Sequence, residues 1–414
     1  MQILRKIQNQ FFLEIFLILI LLPSCQLVAT PDYISGSVID ENGPLAGATV
    51  KIQTADIQTA TNDKGYFILN GLAPGDTFTV TAWKSGYFIA GQEGIKTGTE
   101  NLEIHLEQHS DIDNPDYAWL PSLYHEGEGE NQGCAECHST SGTDYPSSLP
   151  VDEWLLDSHS QSAVNPRFLS MFSGTDVHGN QSPFTRYEYS RDYGTFPLLP
   201  DPKQPYFGPG YKLDFPETNG NCAACHTPAA SVNLPYEIDP SAVTGVAEEG
   251  IPCDFCHKIW DVKLNNQGMP NENMPGVLSY AFRRPPDGHQ LFLGPLDDVA
   301  PGEDTYSPIQ QQSQFCAPCH FGTFWDTIIY NSYGEWLESP YNDPISGKQC
   351  QDCHMPPLRN TYFALPAAGG LNREPDTIFS HQMPGAASED LLQNSVTMEI
   401  QADRLDDQIQ VIVN

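Results

Sequence analysis

Basic residues are scarce in this chain. Lys and Arg together number 19 against 53 Asp and Glu, leaving a formal charge of −34. A field of that sign repels phosphate backbones and anionic headgroups, which excludes nucleic acid and acidic lipid surfaces as charge partners. It favours solubility and steering toward basic partners. Long apolar runs are missing as well: the unbroken run at 15–22 is too short to cross a bilayer. Charged residues make up only 17%, whereas prolines number 35 and glycines 33. That balance argues against a helical bundle and for a loop-rich globular protein, and 414 residues leave room for two or three domains.

Cysteine is confined to one recurring pattern and one N-terminal position. The pattern is Cys-x-x-Cys-His, written CAECH at 134–138, CAACH at 222–226, CDFCH at 253–257, CAPCH at 316–320 and CQDCH at 350–354. Cys134, Cys137, Cys222, Cys225, Cys253, Cys256, Cys316, Cys319, Cys350 and Cys353 account for ten of the eleven cysteines. A zinc ribbon has no use for a histidine directly after its second cysteine. Five Cys-x-x-Cys disulfides in one exported chain would be an odd framework, since such pairs are usually redox-active. The pattern is that of c-type haem attachment: two thiols add to the two vinyl groups of one haem, and the adjacent histidine ligates the iron. Five haems c are therefore expected, with His138, His226, His257, His320 and His354 as axial ligands.

The sixth iron position decides between electron transfer and chemistry on a substrate. Seven histidines remain, of which His105 and His109 fall outside the haem region and are set aside as structural or exposed. His159, His381, His289, His125 and His178 match the five haems in number, so complete or near-complete bis-histidine ligation is expected. Met171, Met355 and Met383 are competing sulfur donors, better read as core packing. No catalytic residue is assigned.

The N-terminus begins with Arg5 and Lys6 ahead of the apolar run, the layout of an export signal at 1–24. Leu22-Pro23-Ser24-Cys25 follows and resembles the lipobox of bacterial lipoproteins. The resemblance implies lipidation of Cys25, a short lipid-anchor linker at 25–32, and a tethered protein in the cell envelope, on the periplasmic side or outer surface. An ordinary signal cut near Ala29 is the alternative.

Residues 33–108 hold short runs of alternating hydrophobicity separated by turn signals such as Asn62-Asp63-Lys64-Gly65 and Pro74-Gly75-Asp76, the pattern of a small all-β sandwich. The stretches Ser35-Gly36-Ser37-Val38, Pro44-Leu45-Ala46-Gly47-Ala48-Thr49-Val50, Thr61-Asn62-Asp63-Lys64-Gly65-Tyr66-Phe67 and Leu72-Ala73-Pro74-Gly75 resemble the carboxypeptidase-regulatory-like domain. That resemblance implies an immunoglobulin-like sandwich of about seven strands, with a spacer or binding role and no catalysis. A solvated acidic linker is expected at 109–116.

The haem region, 117–385, is expected to be loop-rich and mainly α, with a helical stretch at 151–159. Gly250-Ile251-Pro252 before Cys253, Gln314-Phe315 before Cys316, and Tyr333-Gly334-Glu335-Trp336 leading to Cys350 resemble the multihaem cytochrome superfamily that includes cytochrome c-554 and hydroxylamine oxidoreductase. The resemblance implies close haem packing that conducts electrons, with an open haem in some members. The Cys-x-x-Cys-Lys site of pentahaem nitrite reductases is absent, and hydroxylamine oxidoreductases carry more than five haems, so neither enzyme is implied. An electron carrier serving redox proteins or an extracellular acceptor is the leading reading. A haem enzyme with one open iron, acting on a small inorganic nitrogen or sulfur compound, is the alternative; an adhesion lipoprotein is a third. Residues 386–414 return to alternation and read as the first hairpin of a further β-domain.

Overall fold

The computed structural model describes residues 31–124, 133–286, 288–300, 302–324, 327–385, 388–395 and 398–413. The export signal, Cys25 and His125 lie outside them. No helix among the described residues is long and apolar enough to cross a membrane.

The N-terminal part is a β-sandwich. Strands β1 (Tyr33–Asp40), β2 (Gly43–Pro44), β5 (Tyr66–Asn70) and β8 (Leu102–His105) form one sheet; β3 (Thr49–Ile52), β4 (Gln58–Ala60), β6 (Thr77–Trp83) and β7 (Ala90–Lys96) form the other. The alternation in sequence appears as alternating burial, clearest in β5, where Phe67 and Leu69 face inward and Tyr66, Ile68 and Asn70 outward. Ile34, Val38, Val50, Phe67, Leu69, Val80 and Ile104 close the core between the sheets. Each such side chain contributes about 1.5–3 kcal/mol when fully buried. Eight strands form where about seven were expected, the two-residue β2 among them. β1 pairs in parallel with β8, and a Cβ on Gly36 would lie 1.9 Å from the Leu102 carbonyl oxygen. Only glycine permits that approach.

The sandwich is not held away from the rest of the chain. Trp83 Nε1–H donates to Thr305 Oγ1 at 3.0 Å, and the Thr305 hydroxyl donates to the Tyr87 carbonyl at 2.8 Å. Lys51 pairs with Asp297 at 3.0 Å, and Trp83 meets Tyr306 edge-to-face at 5.0 Å. The acidic linker exposes Asp111, Ile112, Pro115 and Asp116 to solvent but is pinned at Asp113 and Asn114. Asp113 accepts from Arg284 Nε at 3.0 Å and Nη2 at 2.7 Å, and Asn114 Nδ2–H donates to the Pro285 carbonyl. Arg284 is almost fully buried, so its charge demands a fixed carboxylate.

Beyond the linker, helices are one or two turns long. The longest described, Pro166–Ser173, has eight residues, an Asn165 N-cap and Gly174 in the left-handed C-cap position. Two-stranded sheets of short strands and 3-10 turns fill the intervals. The region is loop-rich, but its helical content is in fragments. The helix expected at 151–159 spans only Pro150–Trp154, because Asp157 accepts the His159 N–H in an Asx turn that breaks the run. At the C-terminal end, Ile400–Leu405 and Gln408–Val413 form an antiparallel hairpin exposed along both strands.

Candidate functional site

Each of the five motifs closes one helical turn. The histidine N–H returns to the first cysteine's carbonyl at 2.9 Å for His138, 3.1 Å for His226, 3.1 Å for His257 and 3.0 Å for His320. The fifth motif is itself the helix Cys350–His354. Positions i, i+3 and i+4 of a turn share a face, so each turn presents two thiols and one imidazole together.

The imidazoles are oriented from behind. Nδ1–H of His138 donates to the Phe363 carbonyl at 2.7 Å, that of His257 to Leu293 at 2.8 Å, and that of His354 to Pro384 at 2.7 Å. A carbonyl only accepts, so the proton sits on Nδ1 and Nε2 is left with its lone pair. This is the arrangement ligating histidines adopt. His226 differs: its Nδ1 has no partner, and the Phe168 ring stacks on it at 3.7 Å and 4°. His320 is accessible to solvent yet ringed by protein atoms, and that burial pushes its pKa down to about 4.

Two of the spare histidines are brought to the motifs. The His159 ring faces that of His320 at 6.0 Å and 67°. Two imidazoles at that separation fit either side of one metal ion, a metal–imidazole nitrogen bond being about 2 Å. Burial presses the His159 pKa down, but Asp157, which accepts from its Nδ1 at 2.5 Å, outweighs this and raises it. His381 donates from Nδ1 to Phe379 at 3.1 Å; burial and then the neighbouring His257 and His138 hold its pKa near 4. His178 and His289 are exposed and meet no motif histidine. Of the sulfur candidates, Met171 is exposed, whereas Met355 and Met383 are half-buried. His109, set aside from sequence, is buried between Phe88 and Trp260 as a packed ring.

One short helix arranges much of this. In Pro150–Trp154, Asp152 accepts from Ser139 Oγ at 2.6 Å and from Thr140 N at 2.9 Å, beside the first motif. Glu153 accepts the His381 N–H at 2.7 Å, and Trp154 Nε1–H donates to the Ile251 carbonyl before the third motif. Asp254, inside the third motif, is fully buried with Lys258 at 2.5 Å and accepts from Tyr117 OH and Leu120 N. Ser122 links the two motifs, its carbonyl accepting from Ala135 and its hydroxyl from Cys253 N–H.

The motifs also touch one another through their thiols. Cys134 lies beside Cys253, Cys225 beside Cys319 and Cys316 beside Cys350, near enough to shift one another's thiol pKa, while Cys256 lies within the field of Cys319. The first motif therefore adjoins the third, and the fourth adjoins the second, third and fifth. Ala223, Ala224, Phe255 and Ala317 among the spacers are buried, as is the ion-paired Asp254. Spacers at the ends, Glu136, Gln351 and Asp352, reach solvent. No three His, Cys, Asp or Glu side chains among the described residues converge as a bare metal site, which a four-thiolate zinc site would require. The donor sets are those haem c uses, and the residues fit it.

Residues 33–107 match the carboxypeptidase regulatory-like domain family. No curated protein matches the chain. A solved penta-heme cytochrome c552 from Thermochromatium tepidum is 16% identical, with a TM-score of 0.38, over 68% of this chain and 63% of that one. Two cohesin–X-dockerin complexes from Acetivibrio cellulolyticus are 22% and 21% identical, with TM-scores of 0.17 and 0.18. They cover 19% and 20% of this chain and 58% and 61% of theirs. In each case the match spans less than two thirds of the solved chain.

Proposed function

We propose that this chain is an exported multihaem c-type cytochrome that moves electrons through five covalently bound haems. The observation that carries the reading is the set of five Cys-x-x-Cys-His turns, each of which brings two thiols and one imidazole to a shared face. Haem, when bound, supplies one-electron chemistry at iron. The chain's own part is to hold ligands and fix spacing. Cys134/Cys137, Cys222/Cys225, Cys253/Cys256, Cys316/Cys319 and Cys350/Cys353 would anchor the five groups. Nδ1–H bonds leave the Nε2 lone pairs of His138, His257 and His354 free, so these would ligate iron, and His159 and His381 would supply further imidazoles. Intact-mass measurement on chain expressed with a haem-attachment system is expected to show five haem additions; fewer sinks the proposal. His159→Ala is expected to convert one low-spin haem, that of the fourth motif, to a high-spin form that binds carbon monoxide.

A second reading keeps one iron open to a small inorganic compound. The exposed positions of His178 and His289 favour it, since neither lies at a motif histidine. A high-spin signal in the unaltered protein that responds to nitrite or hydroxylamine would place this reading first. Tethering to the envelope through Cys25 completes the proposal, with basic redox proteins or an extracellular acceptor as partners. Cys25→Ser is expected to release the protein from membranes.

A further inference from the structure

Arg373 carries a guanidinium whose hydrogen bonds do not add up. Its side chain is 3% exposed, and Nη1 lies 2.9 Å from Asp298 Oδ1 and 3.2 Å from Oδ2. The Phe363 ring lies 5.5 Å from its central carbon. Nε and Nη2 are buried without any acceptor among the described residues. Arginine does not deprotonate in proteins, so each buried N–H left unpaired costs about 1–3 kcal/mol.

The two unpaired nitrogens share one edge of the planar group. Nε–H and the adjacent Nη2–H point the same way, and that edge grips a carboxylate through two parallel hydrogen bonds. Asp298 does not fill it. Its carboxylate faces Nη1, and its Oδ2 also accepts the Thr54 N–H at 2.8 Å. The open edge lies in the surroundings of the first motif: the Phe363 ring stacks on His138 at 6.0 Å and 7°, and the Phe363 carbonyl accepts from the same imidazole.

We propose that the Nε/Nη2 edge of Arg373 takes a propionate carboxylate of the haem attached at the first motif, an inference that rests on the haem reading above. Arg373 is then a cofactor-binding residue. Its contacts continue through Asp298 to Thr54 N–H and to Gln53, whose Nε2–H donates to the Asp298 carbonyl at 2.9 Å. The β-sandwich thereby fixes the cation that faces this haem, which gives the docked sandwich a part in setting that haem's potential.

The test uses the full haem-loaded chain, with haem count by mass and stepwise redox titration. Arg373→Met removes a buried cation from the proposed propionate site and is expected to shift one of the five reduction steps to lower potential, with five haems retained. Asp298→Asn removes an anion from the same cluster, leaves the edge intact, and is expected to shift that same step upward. Arg373→Lys keeps the charge but loses the two-pronged edge; it is expected to move the propionate bands in the resonance Raman spectrum with little change in potential. Should Arg373→Met fail to load haem, the other two variants decide. Steps that stay in place, or move in the same direction in the Met and Asn variants, overturn the inference, as do unmoved propionate bands in the Lys variant. Fewer than five haems in the unaltered protein is a separate result, which sinks the haem reading itself.

Discussion

Asp152 shows how much one carboxylate can organise. It accepts from Ser139, Thr140 and Leu149 beside the first motif. Burial pushes its pKa up, but these donors outweigh it and the net shift is downward. A folded-state pKa below the unfolded value means that the stabilisation is fully present above the ordinary Asp value of 3.8 and is lost as pH falls through the folded one. Asp152→Asn is expected to cost about 1–3 kcal/mol near neutral pH. The gap from the parent protein should narrow below that pH, which denaturant titration at two pH values checks. Gly276 is a second such position. It has φ +55°, and a Cβ there would lie 2.0 Å from the Ala224 carbonyl and 2.9 Å from Cys225 Sγ. Its N–H donates to Pro318, between the second and fourth motifs. Gly276→Ala is expected to destabilise by more than about 1 kcal/mol and to raise the fraction of chains with fewer than five haems by mass.

At the scale of elements, the short helix Pro150–Trp154 and the pairs Asp297–Asp298 and Asp304–Thr305 do the joining. The helix ties the first motif, the His381 loop and the approach to the third motif through three consecutive side chains. The sandwich is joined to the motif-bearing part of the chain through Thr305, which accepts from Trp83 and donates to Tyr87. Thr305→Val keeps the shape and removes both bonds, leaving the Trp83 N–H and the Tyr87 carbonyl unpaired. Faster hydrogen exchange at Ile89, whose N–H donates to the Asp304 carbonyl, is the expected outcome, with the core strands β1 and β5 unchanged. Equal exchange at Ile89 would show that the docking does not depend on Thr305.

For the whole molecule, the fourth motif is the junction of the five. Replacing Cys316 and Cys319 with Ala removes one attachment site and separates the second and fifth motifs from the first and third. The expected product carries four haems, and its reduction by a rapid-mixing donor should split into a fast and a slow phase. A single phase like that of the parent would show that electrons bypass the fourth motif. The charge of −34 adds a further expectation at this scale. Reduction by a basic donor should slow as salt rises, because screening shortens the reach of the field.

The sequence by itself determined the donor chemistry and the sandwich. Cys-x-x-Cys-His is a local unit: one turn brings its three groups to one face, so five copies are readable without any tertiary contact. Alternation in 33–107 is equally local, because period two is set by the strand. Only the tertiary structure decided which motifs adjoin, that His159 meets His320 while His178 and His289 stay outside, and that the sandwich docks through Asp298 and Thr305. His159 and His320 come from distant segments, and a lone histidine carries no sign of the ring it will face. The helix expected at 151–159 stopped early because Asp157 caught a backbone N–H, a local competition that hydrophobic pattern does not register. Arg373 was silent in sequence for the same reason: an unfilled edge exists only once burial has removed water from it.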